Sequence, residues 1–323
     1  HLSLGIHLRI NYSIRRKFDR LALLNKVIGV LKPWNFVPRQ QKRISDPLPP
    51  VFLIGVPRSG TTIIYQVLTN YFDMIYPDNW THVLSGSFPF GVDQSVKRFG
   101  CKPHNVYKSF HGKTWMFGWH APSEFTPFFR RFFSDEETHF ISGDSDLGTY
   151  RQLKEEVDAV SAVHGRKLLI KNLGLSLKIT FLSRLFPGAK FIHVRRNAKD
   201  VIHSIDTMRK QLGIPEEDWW SIKPSNYPLL KGLDYPDKLI GQVKSIDLEI
   251  QAQVKHLRPE NVLEVDFDGF LLNFESEMKT IQTFIGAENR GDNVLKFIPA
   301  KPTTNRASLD ASFLSAIETA GLA

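Results

Sequence analysis

Cysteine is almost absent from this chain of 323 residues, in which Cys101 stands alone. An internal disulfide is thereby excluded, and a reducing, cytoplasmic setting is expected. Long apolar runs are missing too: no stretch approaches the roughly 18 residues that a membrane-spanning helix needs. Acidic residues are in deficit, 33 Asp and Glu against 42 Lys and Arg, which leaves a formal net charge of +9. A field of that sign gathers anions. The sequence holds no recognisable nucleic-acid module, so a small anionic ligand is expected and nucleic acid is not. Metal-ligand patterns are lacking as well. The eleven histidines are scattered, and no His-x-x-x-His pair has a carboxylate at ligand spacing. No metal is expected.

What remains is an ordinary globular composition, 42% hydrophobic and 23% charged, sufficient for a large core. Residues 1–47 read as a basic helical extension. Its first 36 residues mix apolar side chains with Arg9, Arg15, Arg16, Lys17, Arg20 and Lys26. That pattern suits packing against the domain or peripheral contact with anionic lipid. A Pro-rich connector at 44–50 follows, and residues 48–323 are expected to form one domain. Within it, short apolar runs alternate with helical patterns. The runs at 51–56, 167–171, 190–194 and 261–267 are followed by helical patterns at 60–71, 175–186, 198–212 and 270–285. Four strand-then-helix units predict an α/β fold: a central parallel sheet with helices on both faces. Ligands of such sheets bind at the carboxyl ends of the strands. Residues 72–165 break the alternation and read as an insertion covering the site.

The first unit, "VFLIGVPRSGTTIIYQVLTN" at 51–70, carries the spacing of a nucleotide phosphate loop, Gly55-x-x-x-x-Gly60, but Thr61 stands where Lys is expected. The loop still makes an anion site. Backbone N–H groups over Ser59–Thr62 and the helix dipole point at one place, and the Thr61 and Thr62 hydroxyls add donors. Arg58 supplies a planar cationic fork within the loop. A Mg²⁺-dependent loop is normally partnered by a strand ending in Asp. Here the strand "KFIHV" ends in Arg195 and Arg196, so the anion is expected to arrive without a metal ion.

At this point the sequence resembles the sulfotransferases that use 3′-phosphoadenosine 5′-phosphosulfate. "GVPRSGTT" is similar to their 5′-phosphosulfate loop, so the resemblance implies a P-loop-like phosphosulfate-binding loop after the first strand, formed by Pro57, Arg58, Ser59, Gly60, Thr61 and Thr62. "VRRNAKDVIHS" resembles their 3′-phosphate segment, an Arg followed eight residues later by a Ser, here Arg196 and Ser204. "VLEVDFDGF" is similar to a late strand and loop in which an aromatic, here Phe267, lies near the base. "KPTTNRAS" offers Asn305 and Arg306 as a closing segment over the 3′-phosphate. These elements lie in order through most of the chain. The PRSGTT wording looks closest to the bacterial and carbohydrate-type members. Cytosolic members have Lys at position 58 and Trp at position 63, where this chain has Arg58 and Ile63.

The resemblance implies that Arg58 stabilises the leaving phosphate and that Lys171, ending "KLLIK", sits near the sulfuryl group. The base that deprotonates an acceptor hydroxyl stays open. The cytosolic position for a His is occupied by Leu173. Glu124 and His120, in "WHAPSEFTPFF", and Asp78, in "IYPDNWTH", are the candidates, with His82 beside the last. Residues 110–133 hold nine Phe and Trp side chains, expected to be mostly core, with some lining a pocket. The acceptor is expected to be a small molecule or glycan, with a lean toward sugar from "DWWSIKPSNYPLL". Two other readings are weighed: a nucleotide kinase or NTPase with a degenerate loop, and a catalytically silent binding module.

Overall fold

The computed structural model describes residues 45–134, 137–291, 294–297 and 311–321. The expectations for the N-terminal extension up to residue 44, and for Asn305 and Arg306, lie outside the described residues.

Four strands, β1 (Val51–Gly55), β2 (Leu169–Lys171), β3 (Lys190–Arg195) and β4 (Val262–Asp266), form one sheet in the order β2-β1-β3-β4. Every pairing is parallel; Val51 faces Leu169 on one side and Lys190 on the other, and Phe191 faces Val262. A parallel sheet needs cover on both faces, which is why β1 reads as an unbroken apolar run and is buried throughout. Alternation along the strands then sorts side chains into two cores. Phe52, Ile54 and Phe191 enter one; Val51, Leu53, Ile192 and Val194 enter the other.

The covering helices are α1 (Thr61–Tyr71), α2 (Phe88–Phe99), α3 (Arg151–His164), α4 (Ala198–Leu212), α5 (Asp237–Val254) and α6 (Phe274–Ile285). Ile64, Val67 and Leu68 of α1 and Met278, Ile281 and Ile285 of α6 pack on the second face. Residues from α2, α3, α4 and α5 pack on the first. Each fully buried aliphatic chain contributes about 1.5–3 kcal/mol, so both faces are held chiefly by this burial.

Two predicted helices are divided. The span 175–186 begins as a 3-10 turn, Leu173–Leu177, before the α-helix Ile179–Leu185. Tertiary hydrogen bonds explain the break. Asn172 Oδ1 accepts from the Gly174 N–H at 2.9 Å, and the Gly55 N–H donates to Ser176 Oγ at 3.1 Å. The span 270–285 is α6 preceded by a short helix, Phe267–Leu272, whose start is capped by Asp266 Oδ2 accepting from the Gly269 N–H at 2.7 Å.

The described residues of 72–165 add no strand and carry helices Asn79–Val83, α2, Thr126–Phe129 and α3. They are tied back where the Leu169 N–H donates to Ile75 O at 2.8 Å. Arg131 makes a two-pronged pair with Glu156, Nη2 to Oε1 at 2.6 Å, while Glu156 Oε2 also accepts from the Phe88 N–H that opens α2. The aromatic run divides by place. Phe125, Phe128, Phe129 and Phe133 are core, whereas Phe110 and Trp119 are exposed. No helix among the described residues is long and apolar enough to cross a membrane.

Candidate active site

Strand order sets the site. β1 lies between β2 and β3, so the loop after β1 is flanked by Lys171 at the end of β2 and by Arg196 just past β3, with Phe267 following β4.

Glycine is required at two points of the loop. A Cβ on Gly55 would lie 2.7 Å from Val194 O and 2.8 Å from Ser59 Oγ. Gly60 has φ 99°, and a Cβ there would fall 2.1 Å from Cδ2 of Phe267. The Phe267 ring therefore rests directly on the loop. Arg58 adopts φ 69°, a left-handed conformation uncommon for a residue with a side chain. Pro57 and Ser59 are buried beside it. No side chain caps α1, which leaves its first N–H groups for a ligand. Ser59 Oγ is buried without a hydrogen-bond partner, and so is Nε of Arg196. Buried polar groups are normally paired. An orphaned hydroxyl and an orphaned guanidinium N–H beside a bare helix start suit an oxyanion.

The two predicted phosphate segments meet. Arg58 Nε donates to Ser204 Oγ at 3.1 Å across 146 positions of sequence. Arg196 Nη1 lies 3.4 Å from Arg58 O, and its guanidinium stands over the Phe267 ring at 5.2 Å. Burial, and then the charge of Arg196, push the Arg58 pKa below its ordinary value. Two guanidiniums held together in this way gain from an anion placed between them. Beside them opens a cleft of about 300 Å³ whose walls include Arg58, His111, Arg196, His203 and Ser204. His111 belongs to a tight turn, closed by Phe110 and Lys113, that reaches over the loop. A Cβ on its Gly112 would come within 3.4 Å of Thr62 Oγ1.

Lys171 is 2% exposed. Its Nζ donates to Thr62 Oγ1 at 3.2 Å and pairs with Glu124, whose side chain remains 35% exposed. Glu124 is positioned from behind, since Asn172 Nδ2 donates to its carbonyl at 2.9 Å. Loop, lysine and carboxylate thus form one connected row.

The other two base candidates are placed differently. Asp78 has no exposure. Its Oδ1 accepts from the Thr81 N–H and hydroxyl at 2.7 and 2.8 Å, and its Oδ2 lies beside the Ser95 hydroxyl and His120 Nδ1. It caps helix Asn79–Val83. His120 Nδ1 is 3.0 Å from that carboxylate, Nε2 is 2.7 Å from Lys102 O, and its ring stacks on Phe99. Both are tied into the insertion by these contacts, with Asp78 fully buried and 17% of the His120 side chain exposed. His82 lies near Glu124. Its Nδ1 is 2.9 Å from Ser123 Oγ, and burial pulls its pKa down to about 4, partly opposed by the Glu124 charge.

Asn172, Ser176 and the His111–Gly112 turn are structural partners of this row that spacing did not reveal. The only sequence signal was the cluster of small polar residues in "KNLGLS" directly after β2. Among the described residues no group of three or more His, Cys, Asp or Glu could hold a metal ion.

Comparison with known proteins bears on the family. A model of the sulfotransferase family matches residues 49–290. The omega-hydroxy-beta-dihydromenaquinone-9 sulfotransferase Stf3 of Mycobacterium bovis is 22% identical over 298 residues, covering 87% of this chain and 73% of its own. The sulfotransferase STF1 of Mycobacterium tuberculosis H37Rv is 14% identical with a TM-score of 0.46, over 85% of this chain and 76% of that one. A sulfotransferase from Alicyclobacillus acidocaldarius is 14% identical with a TM-score of 0.44, over 85% and 91%. With the family model spanning every strand of the sheet and the loop between β1 and α1, this chain belongs to the sulfotransferase family.

Proposed function

We propose that the protein transfers a sulfuryl group from 3′-phosphoadenosine 5′-phosphosulfate to a hydroxyl of a small-molecule acceptor, without a metal ion. The observation that carries the donor is the hydrogen bond from Arg58 to Ser204, which joins the loop to the segment beginning at Arg196. The loop amides of 59–62, with the Thr61 and Thr62 hydroxyls, would hold the 5′-phosphosulfate. Arg58 would stabilise charge on the leaving phosphate. Arg196 and Ser204 would hold the 3′-phosphate, and Phe267 would face the base. The donor supplies an activated sulfur open to in-line attack. Lys171, fixed between Thr62 and Glu124, orients the sulfuryl end and balances its charge. Glu124, the exposed carboxylate of the row, takes the acceptor proton.

For the acceptor, the sequence leaned toward sugar, while the name of the mycobacterial relative gives it a hydroxylated dihydromenaquinone. The common element is a hydroxyl group, and that is the acceptor class assigned.

Calorimetric titration with 3′-phosphoadenosine 5′-phosphate in EDTA, with ATP for comparison, tests the donor. Metal-free binding of the bisphosphate that is much tighter than that of ATP, and that weakens in Arg196→Ala, is expected. A preference for ATP appearing only with Mg²⁺ would favour a kinase and remove the roles given to Arg196 and Ser204.

A further inference from the structure

Between Asp93 and Glu124 lies a run of thirty residues with no Asp or Glu and with five basic residues, Lys97, Arg98, Lys102, Lys108 and Lys113. The acids that bound it are spent: Asp93 pairs with Lys97, and Glu124 with Lys171. Arg98, Lys102, Lys108 and Lys113 are exposed. The same run carries the exposed aromatic and methionine side chains among the large apolar residues that the described structure leaves unburied, with Phe110 at 51%, Met116 at 44% and Trp119 at 40% exposure; the other six are leucines elsewhere.

These residues are joined by contacts. Phe110 and Lys113 close the turn whose Gly112 overlies Thr62. The Trp119 ring meets Trp80 edge-on at 5.7 Å, and Arg98 lies over Trp80 at 4.7 Å. Lys102 is linked to the neighbour of Trp119 through His120. Beneath, the segment is anchored: Gln66 Nε2 of α1 donates to Lys108 O at 2.7 Å, and Asn79 Nδ2 donates to Gly118 O at 2.8 Å. It is a supported segment, cationic and tipped with aromatic and thioether groups, whose Phe110–Lys113 turn lies over the loop at Thr62.

We infer that this surface docks on an anionic phospholipid bilayer, so that the site is presented to an acceptor hydroxyl lying in the membrane interface. Charge complementarity selects this occupant. Exposed Lys and Arg gain from a negative headgroup layer, while Phe and Trp tips settle at the headgroup level. A protein partner would leave four unopposed cations in an interface whose centre usually excludes charge. The inference deepens the sulfotransferase reading by naming where the acceptor resides, but docking itself is independent of the donor.

The test is co-sedimentation of the full chain with vesicles of phosphatidylcholine alone, and of phosphatidylcholine with roughly a third phosphatidylglycerol. The parent should partition onto the anionic vesicles and lose most of that binding at about 0.5 M salt. Met116→Ser/Trp119→Ser and Lys102→Glu/Lys108→Glu should each lower partitioning on the order of tenfold. Both should keep the bisphosphate affinity of the parent, which shows that they fold. Equal partitioning of parent and variants would overturn the inference, since the basic residues before position 45 would then carry the binding. A parent that ignores both kinds of vesicle would also overturn it and would turn the surface toward a protein partner. A parent that partitions as described yet fails to bind the bisphosphate would leave the docking standing and sink the donor assignment.

Discussion

Under the proposed function, the pairing of Glu124 with Lys171 would let a proton leaving an acceptor oxygen and the charge gathering on the sulfuryl oxygens be handled within a few ångströms of each other. A buried ammonium is costly unless paired, and the carboxylate also holds Lys171 aimed at Thr62. Glu124→Gln retains the shape and one acceptor oxygen but loses the base. Turnover should fall by about 10²–10⁴ with the bisphosphate dissociation constant little changed, as read by steady-state rates and calorimetry. A comparable loss in both would make Glu124 a binding group. His82 belongs to the same scale. Its folded pKa of about 4 lies below the ordinary 6.5, so the native protein keeps the ring neutral while the unfolded chain protonates it. Stability tied to that ring is intact above pH 6.5 and drains away as pH falls toward 4, by about 3 kcal/mol at the limit. Thermal unfolding between pH 4.5 and 7 should show a shallower acid loss in His82→Asn than in the parent. Parallel curves would place the acid sensitivity in other rings, such as His104, which burial also pulls down.

At the scale of elements, the loop and the start of helix Phe267–Leu272 are one unit. Gly60 already has a backbone angle that side chains resist, and its Cα is roofed by the Phe267 ring. Gly60→Ala should cost about 1–3 kcal/mol in urea unfolding and should weaken the nucleotide as well, because the ring has to move. Adding Phe267→Ala should relieve the overlap without restoring affinity. Strands were legible in the sequence because burial on two faces writes a short, largely apolar run, uninterrupted in "VFLIG" and broken only by a buried His193 in the interior of "KFIHV". The start of the 175–186 helix was not, because Asn172 caps Gly174 locally while Asn172 and Ser176 are committed to long-range hydrogen bonds that periodicity does not record. The choice among base candidates was hidden for a related reason. Asp78 and Glu124 are both acids near aromatic residues, and only packing reveals that one is sealed as a helix cap while the other meets solvent.

For the molecule as a whole, a ligand that binds only the folded state should raise the melting temperature. At a hundred times its dissociation constant the gain is about 2.7 kcal/mol, or roughly 5–10 °C for a domain of this size. The bisphosphate should produce that shift in EDTA, and the shift should shrink as salt screens the cationic site. The strand order has one more consequence. With neighbouring strands about 4.8 Å apart, the carboxyl edge of β2-β1-β3-β4 acts as a ruler with four marks, Lys171, the loop, Arg196 and Phe267. If the proposed donor lies along it as the residue roles above require, its reactive end would sit at the β2 mark and its base at the β4 mark. Traffic is thereby divided between two ends of the sheet. On that reading acceptors would enter past β2, and the adenine end would not cross their route.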